Sequence, residues 1–131
     1  MACTIYYGAV LETFEISESI NLIQEKLFYP IVLKDKGNGM FAHTDETIQG
    51  FLDICTSDEY IFTVLCGTKE LNAGVNNISV FNWNGDPVIR FETDINIYRI
   101  CYNKDDNLIY ALARIEDGEF ILVKFDISDY L

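Results

Sequence analysis

From Phe51 onward, apolar and polar residues alternate in short runs separated by polar turns. Period-two alternation marks half-buried strands. Phe51, Ile54, Tyr60, Phe62, Val64, Ile78, Val80, Ile89 and Phe91 supply the apolar positions of a first set, over residues 51–55, 59–65, 77–83 and 87–93. A second set runs over 96–102, 108–113 and 120–127. The two sets repeat each other. Asp58-Glu59-Tyr60-Ile61-Phe62 aligns with Asp106-Asn107-Leu108-Ile109-Tyr110, and Val80-Phe81-Asn82-Trp83 aligns with Lys124-Phe125-Asp126-Ile127. An offset of about 44 to 48 residues is the spacing of a propeller blade made of four short strands. The pattern predicts an all-β chain, a partial β-propeller, in one domain over 1–131. Within it, 51–93 is a complete four-stranded blade, flanked by incomplete ones, of which 95–127 is the later.

The first fifty residues are less regular. Residues 3–16 read as strand, with Gly8 allowing a bend and Phe14-Glu15-Ile16 closing a strand as Phe81-Asn82-Trp83 does. Ser17 and Ser19 could cap a short helix through Ile20, Ile23, Leu27 and Phe28, but the repeat favours a strand there. Residues 29–33 read as a further strand, and 34–49 as an irregular crossover around the turn cluster Asp35-Lys36-Gly37-Asn38-Gly39. Asn84-Gly85 is the clearest hairpin signal. Pro87 after it belongs on an outermost strand, where its missing N–H faces solvent.

Composition narrows the function. Half of the 131 residues are hydrophobic, enough for a core, and eight tyrosines and nine phenylalanines favour strands. The net charge of −12 repels a phosphate backbone, so nucleic acid is a poor partner. Acidity of this kind serves solubility, or an acidic groove for cations or basic peptides. Cys3, Cys55, Cys66 and Cys101 lack chelating or C-x-x-C spacing, so they read as free thiols, with Cys55, Cys66 and Cys101 mostly buried in strands. No metal or cofactor is expected. No run approaches a membrane span, and the first residues have neither the basic region nor the apolar run of a signal peptide.

Catalytic motifs do not emerge. The chain has no G-x-S-x-G elbow and no phosphate-binding glycine motif, and its single histidine cannot fill a histidine-rich metal site. Asn103 to Asn107 resembles a calcium loop only in composition, and a plain turn is the expectation. Asp53, Asp58, Asp94 and Asp106 lie near strand ends, the only candidates for acid chemistry. Two polar loops joined to strands are the better candidates for ligand binding. One holds His43, Asp45 and Glu46, and the other holds Asn72 and Asn76. Sheets lacking neighbours would leave apolar faces in water, so a homodimer covering the open faces is expected.

Glu59-Tyr60-Ile61-Phe62, the run from Ile78 through Asn82-Trp83-Asn84-Gly85-Asp86-Pro87 to Val88, and Asn107-Leu108-Ile109-Tyr110-Ala111 resemble the TolB-like six-bladed β-propeller family of uncharacterised Bacteroides-type proteins. The resemblance implies a binding or scaffolding module that recognises a protein or small ligand through loops between strands. Its alternative implication is a hydrolase or lyase acting on carbohydrate, with carboxylates at the propeller mouth. It also implies a periplasmic or surface location for a full-length member, and a cytoplasmic one otherwise.

Overall fold

The computed structural model describes residues 1–70 and 74–131. Among them are twelve strands and no helix. They are β1 (Ala2–Ile5), β2 (Val10–Ile16), β3 (Ile20–Leu27), β4 (Leu33–Gly37), β5 (Met40–His43), β6 (Gln49–Thr56), β7 (Tyr60–Thr68), β8 (Asn77–Asn82), β9 (Pro87–Glu92), β10 (Asn96–Asn103), β11 (Leu108–Arg114) and β12 (Phe120–Asp126). All pairing within sheets is antiparallel. An N-terminal sheet is ordered β1-β2-β3, a central sheet β6-β7-β8-β9 and a C-terminal sheet β10-β11-β12, while β4 and β5 form a separate hairpin. The chain is therefore all-β with several antiparallel sheets, which do not close on one another among the described residues.

Alternation along β7 explains the stacking. Ile61 faces the N-terminal sheet and packs with Ala9, Leu11, Phe51 and Phe81. Phe62 and Val64 face the C-terminal sheet and pack with Ile78, Val80, Ile97, Ile109 and Ala111. Both faces of the central sheet are thus buried, and the three sheets form layers with the four-stranded one in the middle. Backbone contacts join the first strands of successive layers. Gly8 N–H donates to Ile48 O at 3.0 Å, and Gly50 N–H donates to Tyr6 O. A side chain at Gly50 would strike the Ala9 and Tyr6 backbones, so only glycine allows this approach. On the other side, Asp53 Oδ2 accepts Ile100 N–H at 2.7 Å and ties β6 to β10.

Several expectations need correction. Residues 29–33 are not a strand. Tyr29 N–H still donates to Gly8 O, but the next residue is Pro30, which has no N–H, and regular pairing resumes only at Leu33. Residues 34–49 are not irregular throughout, because they hold most of the β4–β5 hairpin. Its turn is Asn38-Gly39, both left-handed at φ 56° and 75°, the backbone that a two-residue hairpin turn demands. Cys101 is exposed rather than buried, while Cys55 and Cys66 are half-buried. Cys101 lies opposite Tyr110 in the β10–β11 register, and that row turns its back on the central sheet. The segment 20–27 is a strand, and β8 and β9 lie in one sheet with Pro87 opening its outer strand, as the alternation and the Asn84-Gly85 turn predict.

Candidate functional site

The β6–β7 turn and the β10–β11 turn emerge side by side at one end of the stack. Between them is a cleft of about 300 Å³. Phe62 from β7 and Tyr102 from β10 stack on each other along its wall, with ring centroids 5.3 Å apart and planes 21° from parallel. Tyr60 stands against Phe62 at 6.4 Å, and Ile127 closes the apolar end. The rim is polar. Ser57 Oγ accepts Tyr60 N–H at 2.9 Å and Glu59 N–H at 3.2 Å, which fixes the turn that carries Asp58 and Glu59. Asp58 pairs with Lys104 across the mouth. The hydrogen bond to Asp58, and then its charge, holds the Lys104 ammonium above its ordinary pKa. Tyr102 hydroxyl donates to Asn107 Oδ1 at 2.9 Å, leaving its ring fixed as a wall. The indole N–H of Trp83 donates to Asp58 O at 3.0 Å, so the only tryptophan touches the rim. An aromatic floor under a rim of carboxylate, amide and ammonium groups suits a small ligand with one apolar face and several polar edges.

Two further cavities flank β9. One of about 350 Å³ lies on the N-terminal side, lined by Phe28, Leu65, Phe81 and Val88. The other, of about 220 Å³, lies on the C-terminal side, lined by Ile78, Phe91, Phe125 and Asp94. Both exist because the neighbouring sheets have three strands where the central one has four, so β9 overhangs them.

Of the loop residues expected to bind a ligand, His43, Asp45, Glu46 and Asn76 do not line any of these three cavities. His43 ends β5 exposed, with its ring 6.2 Å from Tyr7. Asp45 is exposed beside it, and Glu46 pairs with Lys69. That ion pair and the Gln49 Nε2 donation to Glu70 O at 2.9 Å do bring the two loops together. Asn76 is elsewhere, its carbonyl accepting Thr93 N–H at 2.8 Å. Asn72 lies outside the described residues. Tyr60, Phe62 and Tyr102 were not singled out as binding residues by their pattern, because each reads as a core position. The usable signal was the alignment of Asp58-Glu59 with Asp106-Asn107, which places two equivalent turns at one end of adjacent sheets.

The acidic candidates are engaged separately. Asp53 accepts from the β10 backbone, Asp58 pairs with Lys104, and Asp106 Oδ2 accepts the Tyr110 hydroxyl at 3.1 Å. Among the described residues no three His, Cys, Asp or Glu side chains gather as metal ligands, and no helix is long and apolar enough to cross a membrane. No family model matches the chain, and neither a curated protein nor a solved structure matches it.

Proposed function

We propose that this chain is a non-catalytic binding and scaffolding module, a set of TolB-like propeller blades that holds a small ligand between two of them. The observation that carries this reading is the cleft between the central and C-terminal sheets, with its stacked Phe62–Tyr102 wall and its Asp58, Glu59, Lys104 and Asn107 rim. Its volume of about 300 Å³ admits a monosaccharide-sized molecule. A sugar ring offers an apolar face for the aromatic wall and hydroxyls for the rim. Hydrolysis of a sugar bond would need two carboxylates facing one another across it, whereas Asp53, Asp58 and Asp106 each serve a different local partner.

Titration of neutral and amino monosaccharides tests the reading, followed by the fluorescence of Trp83 and by calorimetry. Saturable binding that Tyr102→Ala abolishes is expected. Binding unchanged by Tyr102→Ala, or none at millimolar sugar, overturns it.

The scaffolding part is a homodimer. Its support is the apolar residue load left in water on the outer sheets, including Ile16, Ile20, Leu22, Phe120 and Leu122. Sedimentation across dilution at about 0.15 M salt, where screening acts over roughly 8 Å, tests it. A 15.0 kDa species persisting at high concentration defeats it.

A further inference from the structure

The last strand of the C-terminal sheet, β12, pairs with β11 on one side and with no strand on the other among the described residues. The hairpin before it sets which backbone groups point outward. Ile115 N–H donates to Glu119 O at 3.1 Å, and Gly118 N–H donates to Ile115 O at 2.9 Å. Bonded pairs then alternate along the register, so the backbones of Ile121, Val123 and Phe125 turn toward Ala113, Ala111 and Ile109 of β11. Phe120, Leu122, Lys124 and Asp126 present their N–H and C=O groups to the open side. The seven pairs run without a bulge, and β12 holds no proline. Other outer edges are blunted. The strand β9 opens on Pro87, and its register slips between Val80 and Phe81. The strand β3 is pinned to the β8–β9 turn, where Gln24 donates to Asn84 O and Lys26 pairs with Asp86. On β12 only Lys124 is a device of that kind, and Asp126 shares its row.

We propose that the β12 edge takes an extended peptide of another protein as an antiparallel fourth strand, with a basic residue opposite Asp126 and an acidic one opposite Lys124. The inference is independent of the cleft and of the homodimer. Three observations carry it. The first is the internal repeat. Val80-Phe81-Asn82-Trp83 aligns with Lys124-Phe125-Asp126-Ile127, so β12 is the counterpart of β8. The same edge of β8 carries β9, antiparallel. The second is space. The overhanging β9 leaves a groove of about 220 Å³, with Ile78 and Phe91 on one side and Phe125 and Ile127 on the other. Neighbouring strands lie ~4.8 Å apart, so an added strand sets the side chains opposite Val123 and Phe125 into this apolar groove. The overhang also selects the occupant. Two β12 strands paired antiparallel about a two-fold axis keep the same face up, so β9 of each copy would run into the central sheet of the other. A single strand fits where a second copy does not. The third observation is charge. The other row of the added strand lies beside Leu122, Lys124 and Asp126, all exposed. Ser128 N–H donates to Asp126 Oδ1 at 3.0 Å and fixes that carboxylate near the edge. Lys124 forms no ion pair with an acid among the described residues. Opposite charges directly across a strand pair attract, and like charges there are unfavourable.

Fluorescence anisotropy with a labelled peptide as long as β12 tests this. The peptide carries valine at the groove positions, lysine opposite Asp126 and glutamate opposite Lys124. Saturable binding below about 1 mM is expected. The peptide with its lysine and glutamate exchanged should bind at least about threefold more weakly. The double variant Lys124→Asp, Asp126→Lys should reverse that preference, and both positions are exposed, so the fold is kept. Leu122→Pro removes an outward N–H without touching the bonds to β11. In that variant, once a native circular dichroism melt is verified, binding should fall by more than about tenfold. The proposal is overturned by the absence of saturable binding, by a charge preference that the double variant leaves unchanged, or by full binding to folded Leu122→Pro. Hydrogen exchange covers the remaining occupant. Protection of the Leu122 and Lys124 amides that appears without peptide and grows with protein concentration would give the edge to a second copy, and that too overturns the assignment.

Discussion

Ile61 and Phe62 are sequence neighbours that point to opposite faces of one sheet, yet they are 0% and 1% exposed. In a sheet with one wet face, one of the two would be exposed. Ile61→Ala should therefore cost about 2–5 kcal/mol, and Phe62→Ala about 3–5 kcal/mol. Loss of the Tyr102 stack adds about 0.5–1.5 kcal/mol to the second. Each is a large share of the roughly 5–15 kcal/mol that holds a domain folded. The two changes also act on different contacts. Ile61 packs with Ala9, Leu11, Phe51 and Phe81, whereas Phe62 packs with residues of the C-terminal sheet. Urea unfolding gives the losses, and native-state hydrogen exchange gives their location. Ile61→Ala should deprotect amides of β2 first, and Phe62→Ala those of β11. A loss below about 1 kcal/mol for either residue would refute the three-layer stack, since no buried face would then lie behind it. Deprotection of the same amides by both changes would show that the layers do not respond separately.

Asp53→Ala should destabilise by about 1.5–3 kcal/mol, because it removes a charged acceptor from the half-buried Ile100 N–H, and Asp53→Asn should lose less because its amide oxygen can still accept; paired urea midpoints check the difference. Cysteine alkylation at pH 8 should modify Cys101 first and Cys55 last, as read by mass spectrometry over time. Cys101 is exposed, whereas burial first, and then Cys101 and Asp53, push the Cys55 thiol up to about 12. The same shift gives a pH dependence. The folded chain holds the Cys55 proton more tightly than the unfolded one, so its contribution is full below the ordinary value of 9.0 and is lost as pH rises toward about 12. Thermal melts of wild type and Cys55→Ala across that range should converge at the alkaline end.

The strands from β6 to β12 were legible to within three residues at each end, because each buries at least one row against a neighbour, which leaves apolar runs and alternation in the sequence. The β4–β5 hairpin carries the same Asn-Gly signal as the turn after β8, yet it went unread. Its strand Leu33-Lys34-Asp35-Lys36-Gly37 has four exposed residues and buries no face, so hydropathy leaves no trace of it. Cys101 misled for a related reason. It sits among Ile100 and Tyr102, but alternation assigns it to the opposite face, and only the β10–β11 register says which face is covered. The cleft was harder still. Tyr60 and Tyr102 belong to different sheets, and nothing in either strand alone states that the two turns stand together. The loops of His43 and Glu46 looked like binding elements because they are polar, which is equally what a solvated connection requires.

Salt offers a way to separate charge from apolar burial in the proposed homodimer. Two copies each carrying −12 repel at a distance, and at about 0.01 M salt that repulsion extends over roughly 30 Å, the scale of the molecule. At about 0.15 M it is cut to roughly 8 Å. The apolar area is indifferent to screening. Association should therefore tighten as salt rises from about 0.01 to 0.15 M and then change little up to about 1 M, because the repulsion is already screened and the apolar faces remain buried. Sedimentation equilibrium at three salt concentrations measures this. A dissociation constant that rises steadily from the lowest salt would mean that attraction between charges, rather than burial of the exposed sheet faces, drives the pairing, and the dimer reading built on those faces would fail with it.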